Sequence, residues 1–206
     1  MHVLRCNDAN VDHGERLNNL RSQAVGCVRC ELSATRNNVV FGTGPTAADV
    51  MFIGEAPGRE EDLTAEPFIG RSGELLTQLL VAAGVKRCDV YIANVVCCRP
   101  PENRDPRPDE IAACSPWLEA QIAVVEPVVI CTLGNFATRL LRGDRAGITS
   151  LHGKAEAAVV GGLSVWLYPL FHPAAALRAT STRDLLAADI QAIPDLASRG
   201  RPQLLG

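Results

Sequence analysis

Four short apolar runs rich in β-formers set the fold of this 206-residue chain: "DVMFIG" (49–54), "DVYIANVV" (89–96), "VVICTLG" (128–134) and "SVWLYPLF" (164–171). They are nearly continuous rather than alternating, the pattern of strands buried on both faces. Helical patterns separate them. "SGELLTQLLVAAG" opens with Ser72 in an N-cap position and closes on Gly84. "PDEIAACSPWLEAQIAVV" begins with Pro108 and two acids, suited to the positive end of a helix dipole. "NFATRLLRG" stops on Gly143, and Leu17, Leu20 and Ala24 recur at helical spacing between Gly14 and Ala24. Gly161-Gly162 predicts a hairpin within "AEAAVVGGLSVWLY". This alternation predicts an α/β fold, a three-layer α-β-α arrangement around a central, mainly parallel four-stranded sheet. With 47% hydrophobic residues, one domain over residues 14–196 can bury a sizeable core, between a loose N-terminus (1–13) and a C-terminal tail (197–206).

Ligands of open α/β sheets sit beyond the carboxyl ends of the strands. That rule selects "GEAPGREED" after the first strand, Asn94 at the end of the second, and "HPAAALR" after the last. The unusual polar chemistry of the chain therefore falls on one edge of the sheet.

Eight cysteines suggest disulfides, but the start "MHVLRCNDANVDHGE" is polar and lacks the apolar core of a signal peptide. No uninterrupted apolar stretch approaches the ~18 residues of a membrane helix. A reducing cytosol is expected, where clustered cysteines read as metal ligands before disulfides. Cys27-x2-Cys30 in "GCVRC" can turn two sulfurs toward one ion or cluster, and Cys98-x15-Cys114 could complete a set of four. Spacing alone fits a four-thiolate zinc site or an iron–sulfur cluster equally. Cys131, Cys6 and Cys88 read as small packed hydrophobes. The net charge of −3 is not that of a protein that coats DNA, but it permits an enzyme that touches DNA through a local patch. Arg99, Arg104 and Arg107 cluster in one loop, and Arg178 and Arg183 in another.

Read together, "GEAPGREED", "PFIGRSGELL", "YIANVVCCRPPENR", "CSPWL" and "FHPAAALR" closely resemble the family 4 uracil-DNA glycosylases, the thermostable-type, iron–sulfur branch of their superfamily. The resemblance runs from about Cys27 to the last helix with motif order and spacing kept. It implies a structural [4Fe-4S] cluster on Cys27, Cys30, Cys98 and Cys114. Cys97 falls on a variable position of the pattern and is expected to face elsewhere.

The resemblance also implies an enzyme that flips uracil out of DNA and hydrolyses its N-glycosidic bond. Asn94 would read the base, since an amide offers both an acceptor and donors to the pairing edge. Phe68 would stack on it, and the backbone around Ala56 and Gly58 would approach its oxygens. Glu61 would fill the space of a thymine methyl. His172 would donate to the departing O2, and Glu55 would hold water, stabilise the cation or organise the loop, since the branch's shared gap leaves Ala56 where another branch has a water-activating aspartate. Arg71, Ser72 and Gly73 at a helix start form a phosphate site. Leu177 would enter the minor groove with Arg178 on phosphate. Ala175 and Ala176 are smaller than is usual in the family, which bears on the choice between single-stranded and duplex DNA. "RPPENRDPRPDE" contains no histidine, so no covalent trapping on the abasic sugar is expected. His2, His13 and His152 read as incidental.

The expected partner is uracil-containing DNA, single- or double-stranded, met by a cytoplasmic, nucleoid-associated monomer alongside replication or repair proteins. The competing reading is a catalytically silent iron–sulfur or zinc DNA-binding module of the same fold. A nucleotide-binding enzyme is disfavoured because "GTGPTAA" lacks a phosphate-loop lysine and precedes a strand.

Overall fold

The computed structural model describes residues 8–203, so Cys6 and His2 lie outside the described residues. The first helix, α1 (Asp8–Val25), begins six residues before the expected Gly14 and buries Leu17 and Ala24. Four parallel strands follow from the four apolar runs: β1 (Val50–Gly54), β2 (Tyr91–Asn94), β3 (Val129–Leu133) and β5 (Leu163–Leu170). The hairpin at Gly161-Gly162 adds β4 (Glu156–Val160), antiparallel to β5. Among the described residues the sheet therefore has five strands, in the order β2-β1-β3-β5-β4, rather than the expected four. The extra strand is half exposed and alternating, which is why it does not read as a buried run.

Alternation along each strand divides the core. Met51, Ile53, Tyr91 and Ile130 face α1 and α4 (Pro108–Val125), against Trp117, Leu118 and Ile122. Phe52, Ile92, Val129 and Cys131 face α3 (Arg71–Ala82), α8 (Thr180–Gln191) and α9 (Ile193–Ser198), against Leu76, Leu80, Leu186 and Ile193. Burying each such side chain contributes about 1.5–3 kcal/mol. The result is the expected three layers, and Cys131 packs as the small hydrophobe it was read to be. Cys88 does not: it is exposed in a short turn before β2.

Helix ends match the punctuation in the sequence where the cap is local. α4 starts on Pro108, and α5 (Gly134–Arg142) stops on Gly143 at φ +74. α3 differs. Its N-cap is Gly70, not Ser72, because the Glu61 carboxylate on α2 (Arg59–Thr64) accepts from the Ile69 and Gly70 amides at 3.1 and 2.9 Å. The tail is tied down as well: Gly200 accepts from Trp166 Nε1 at 3.0 Å, and Arg201 donates to the carbonyls of Glu126 and Pro127. Among the described residues no helix is long and apolar enough to cross a membrane.

Candidate active site

The register of β1 on β2 sets Gly54 beside Asn94, so the first two strands end side by side. A cleft of about 560 Å3 opens there, lined by Glu55, Ala56, Gly58, Glu61, Phe68, Ser72, Asn94, Asn103, Asp105, His172 and Arg178, with others. The size suits a small-molecule or nucleoside ligand. All six residues expected to touch the base line this one cleft.

Asn94 is 2% exposed, and its Oδ1 is a buried acceptor with no hydrogen-bond partner. Such an orphan costs about 1–3 kcal/mol unless a ligand satisfies it. Phe68 is buried and held at φ +54, a conformation that costs an L-residue about 1–2 kcal/mol. Gly54, which received no role in the sequence, and Gly73, expected only at a phosphate site, make this possible. A Cβ on Gly54 would stand 2.5 Å from Asn94 Oδ1 and 2.6 Å from Phe68 Cζ. A Cβ on Gly73 would collide with the Phe68 carbonyl, so Gly73 backs the aromatic ring's loop and is buried there. The signal for both was a glycine adjoining a polar or aromatic site residue.

His172 precedes the four-residue helix α7 (Pro173–Ala176), and its Nδ1 accepts from the Ala174 amide at 3.1 Å. That bond fixes the tautomer: the proton sits on Nε2. Burial pushes the His172 pKa down to about 4, so the ring is neutral at pH 7 and can still donate. Its ring lies 5.7 Å from that of Phe68. The Glu55 carboxyl is pushed up to about 7, first by burial and then by the charge of Asp105. Glu61 spans the cleft wall and the start of α3, through the two amide bonds given above.

Of the residues expected to contact DNA, two line the cleft and the others lie outside its lining. Ser72 and Arg178 line it, Arg71 is exposed at the N-terminus of α3, and Leu177 is 43% exposed beyond α7. The arginines of the 99–107 loop are otherwise engaged. Arg104 forms two bonds to the fully buried Glu110, Arg107 pairs with Glu31 at 2.9 Å, and Arg99 donates to Asn103 at 2.8 Å.

On the other face of the sheet, Cys27, Cys30, Cys98 and Cys114 line one small cavity with Arg29, Arg36 and Trp117. Three of the four sulfurs accept an N–H: Trp117 Nε1 to Cys27 at 3.4 Å, Arg36 Nη1 to Cys98 at 3.3 Å, and the Cys97 amide to Cys114 at 3.3 Å. Burial pushes the Cys98 thiol up to about 11, whereas a hydrogen bond from Cys97 brings Cys114 down to about 7. Cys97 does not face elsewhere; it is buried and lines the same cavity. The chain leaves the regular strand after Asn94, so adjacent residues no longer point to opposite sides. Among the described residues no group of three or more His, Cys, Asp or Glu side chains is arranged to hold a metal ion.

Comparison with known proteins agrees with this geometry. The family model of the Uracil DNA glycosylase superfamily matches residues 41–196. The type-4 uracil-DNA glycosylase of Archaeoglobus fulgidus is 38% identical over 194 residues, covering 92% of this chain and 98% of its own. That of Thermotoga maritima is 45% identical over 168 residues, covering 80% and 86%. That of Sulfurisphaera tokodaii is 40% identical over 188 residues, covering 89% and 86%. The chain belongs to the uracil DNA glycosylase superfamily and, within it, to the type-4 enzymes.

Proposed function

We propose that this chain is a monofunctional uracil-DNA glycosylase of base excision repair, which takes a flipped-out uracil into the cleft and hydrolyses its N-glycosidic bond to leave an abasic site. The observation that carries the reading is the unpartnered Asn94 Oδ1, buried in the cleft wall. Uracil N3–H is the donor it lacks, and the amide NH2 then meets O4. Cytosine presents the reverse pattern at those two positions and leaves buried groups unpaired, the kind of mismatch that discriminates strongly. The Phe68 ring supplies the stacking surface, worth ~1–3 kcal/mol per base.

As the C1′–N1 bond breaks, its electron pair passes to the base and charge gathers on O2. The neutral His172 donates Nε2–H to that oxygen, and no proton has to be shed first. Water adds to C1′ and gives up a proton. Glu55 lines the same cleft with a pKa of about 7, which supports its stabilising the sugar cation and accepting that proton when ionised. Glu61 holds the Phe68 loop and borders the base, which supports its role against a 5-methyl group. Ser72 and Arg178 in the cleft lining, with the exposed Arg71 and Leu177, support a surface along which single- or double-stranded DNA would lie. Gly73 contributes by seating Phe68.

That four cysteines line one small cavity, with N–H donors on three of them, supports a [4Fe-4S] cluster held by Cys27, Cys30, Cys98 and Cys114. When bound, it supplies a cross-link between the N-terminal loop, the segment after β2, and α4. The completeness of the cleft within one chain supports a monomer. A DNA substrate supports a cytoplasmic, nucleoid-associated site of action near replication or repair proteins.

The test is incubation of the cluster-loaded protein with a uracil-containing oligonucleotide, followed by alkaline strand scission. Cleavage at uracil only after alkali is the expected result. Binding without cleavage would instead support the silent module, which the family membership disfavours.

A further inference from the structure

His152 takes no part in the reaction above and reads as incidental in the sequence, yet it sits in a knot of contacts around the chain that leads into His172. It ends the short helix α6 (Ile148–Leu151), and its Nδ1 pairs with Asp189 Oδ2 on α8 at 2.8 Å. Its ring lies 4.4 Å from the ring of Phe171, the residue before His172. Gly153, at φ +69, donates its amide to the Pro169 carbonyl at 3.0 Å. Any Cβ at Gly153 would run into Asp189 Oδ1, so the glycine lets the carboxylate close in. The Asp189 carbonyl in turn accepts from the Tyr168 hydroxyl at 2.9 Å. Residues 168, 169 and 171 are thus each gripped by Asp189, Gly153 or His152.

His172 needs such support from upstream. Downstream it is followed by only four helical residues, and a helix that short does not hold itself in place. Its Nδ1 bond to Ala174 fixes the tautomer but leaves ring direction dependent on where the backbone emerges from β5. Beside it, Gly134 lets the His172 Cβ approach closely, so there is no side chain at that position to steer the ring.

We propose that the His152–Asp189 pair is a positioning device for His172: it clamps Phe171 and the end of β5 so that Nε2–H points at the leaving oxygen of uracil. The kinetic consequence rests on the uracil-excision reading; the geometric one does not. A displacement of ~1 Å at a reacting group costs ~10²-fold in rate, so a small release of this clamp is readable.

The experiment compares His152→Ala, Asp189→Ala and Asp189→Asn in the cluster-loaded protein. Single-turnover cleavage at saturating uracil oligonucleotide, apparent affinity for that oligonucleotide, and the side-chain 1H–15N resonances of His172 are measured. His152→Ala and Asp189→Ala slow cleavage by roughly 10- to 100-fold with affinity changed less than about 3-fold, and shift or broaden the His172 resonances. Asp189→Asn, which keeps an acceptor for Nδ1–H, returns the rate to within about 3-fold of the parent and restores the resonances. Rates within about 2-fold of the parent and unmoved His172 resonances in both alanine variants would overturn the proposal, as would equal damage from Asp189→Asn and Asp189→Ala. If the parent itself leaves uracil uncut, the excision reading fails, and the resonances alone decide the positioning.

Discussion

Replacing Asn94 by alanine separates function from folding, because its two effects carry opposite signs. In the free protein, Asn94 Oδ1 is buried without a partner, a penalty of about 1–3 kcal/mol that the substitution removes. Against this stands lost packing of about 1–2 kcal/mol, kept small because the space opens into the cleft instead of sealing as a void. The balance lies between about 1 kcal/mol of destabilisation and about 2 kcal/mol of stabilisation, a Tm shift of no more than about 8 °C for a domain of this size. For uracil the effect runs one way. Two hydrogen bonds disappear while negative charge builds on the base, a loss of about 3–4 kcal/mol, or 10²–10³-fold in single-turnover cleavage. Thermal unfolding and cleavage of a uracil oligonucleotide are measured on the same preparation. A variant destabilised by more than about 3 kcal/mol, or one that still cuts within about 5-fold of the parent, would refute the reasoning. Asn94→Asp adds a second arm, since a carboxyl no longer presents a fixed donor–acceptor pair and uracil-over-cytosine selectivity should relax.

Three other outcomes follow from the titrating groups and the thiols. The role proposed for Glu55 requires its ionised form, so single-turnover cleavage should rise with pH through about 7, and Asp105→Asn should move that inflection to lower pH; a flat profile in both proteins would remove Glu55 from the chemistry. His172 has its folded pKa depressed to about 4, so as pH falls from the ordinary histidine range the unfolded chain takes up the proton first. Stability is then lost between roughly pH 6.5 and 4, by about 3 kcal/mol, and His172→Gln should flatten that part of the acid-unfolding curve. Cys98→Ala should abolish the iron–sulfur absorbance while Cys97→Ala keeps it, and equal loss in both would reassign the ligand.

The parts of the structure that could be read from the sequence are those decided locally or by topology. Four apolar runs gave the four parallel strands, and the rule for strand ends picked out Glu55, Asn94 and His172 before any family likeness. What stayed hidden depends on residues distant in the chain. Ser72 has the chemistry of an N-cap, but Glu61, on another helix, reaches the amides first and moves the helix start to Gly70. Arg104 reads as a phosphate contact until the buried Glu110 is seen to hold both its terminal nitrogens. Cys97 falls on a variable position of the family pattern, and only the path of the backbone beyond the strand shows that it enters the same cavity. Gly54 and Gly73 adjoin site residues in the sequence, but that their empty volume is needed by Asn94 and Phe68 shows only in the fold.

The arrangement of α2 explains how two sites on opposite faces of the sheet can share one framework. Consecutive helical residues point in different directions, so Glu61 and Asp62 cannot serve the same partner. Glu61 takes the amides of Ile69 and Gly70 and so fixes the loop that carries Phe68. Asp62, 1% exposed, takes the amides of Asn37 and Asn38 at 2.9 and 3.3 Å, and its own carbonyl accepts from the Asn38 side chain at 2.8 Å. The next residue back, Arg36, donates to Cys98 Sγ and to the Cys27 carbonyl. A six-residue helix has little stability of its own, so α2 takes its position from these two sets of bonds. Disorder in the cysteine loop would therefore reach Phe68 through Asn37, Asp62 and Glu61, without any cysteine touching the base. That chain of hydrogen bonds is a physical reason for a glycosylase to keep four thiols on the far side of its sheet from the bond it breaks.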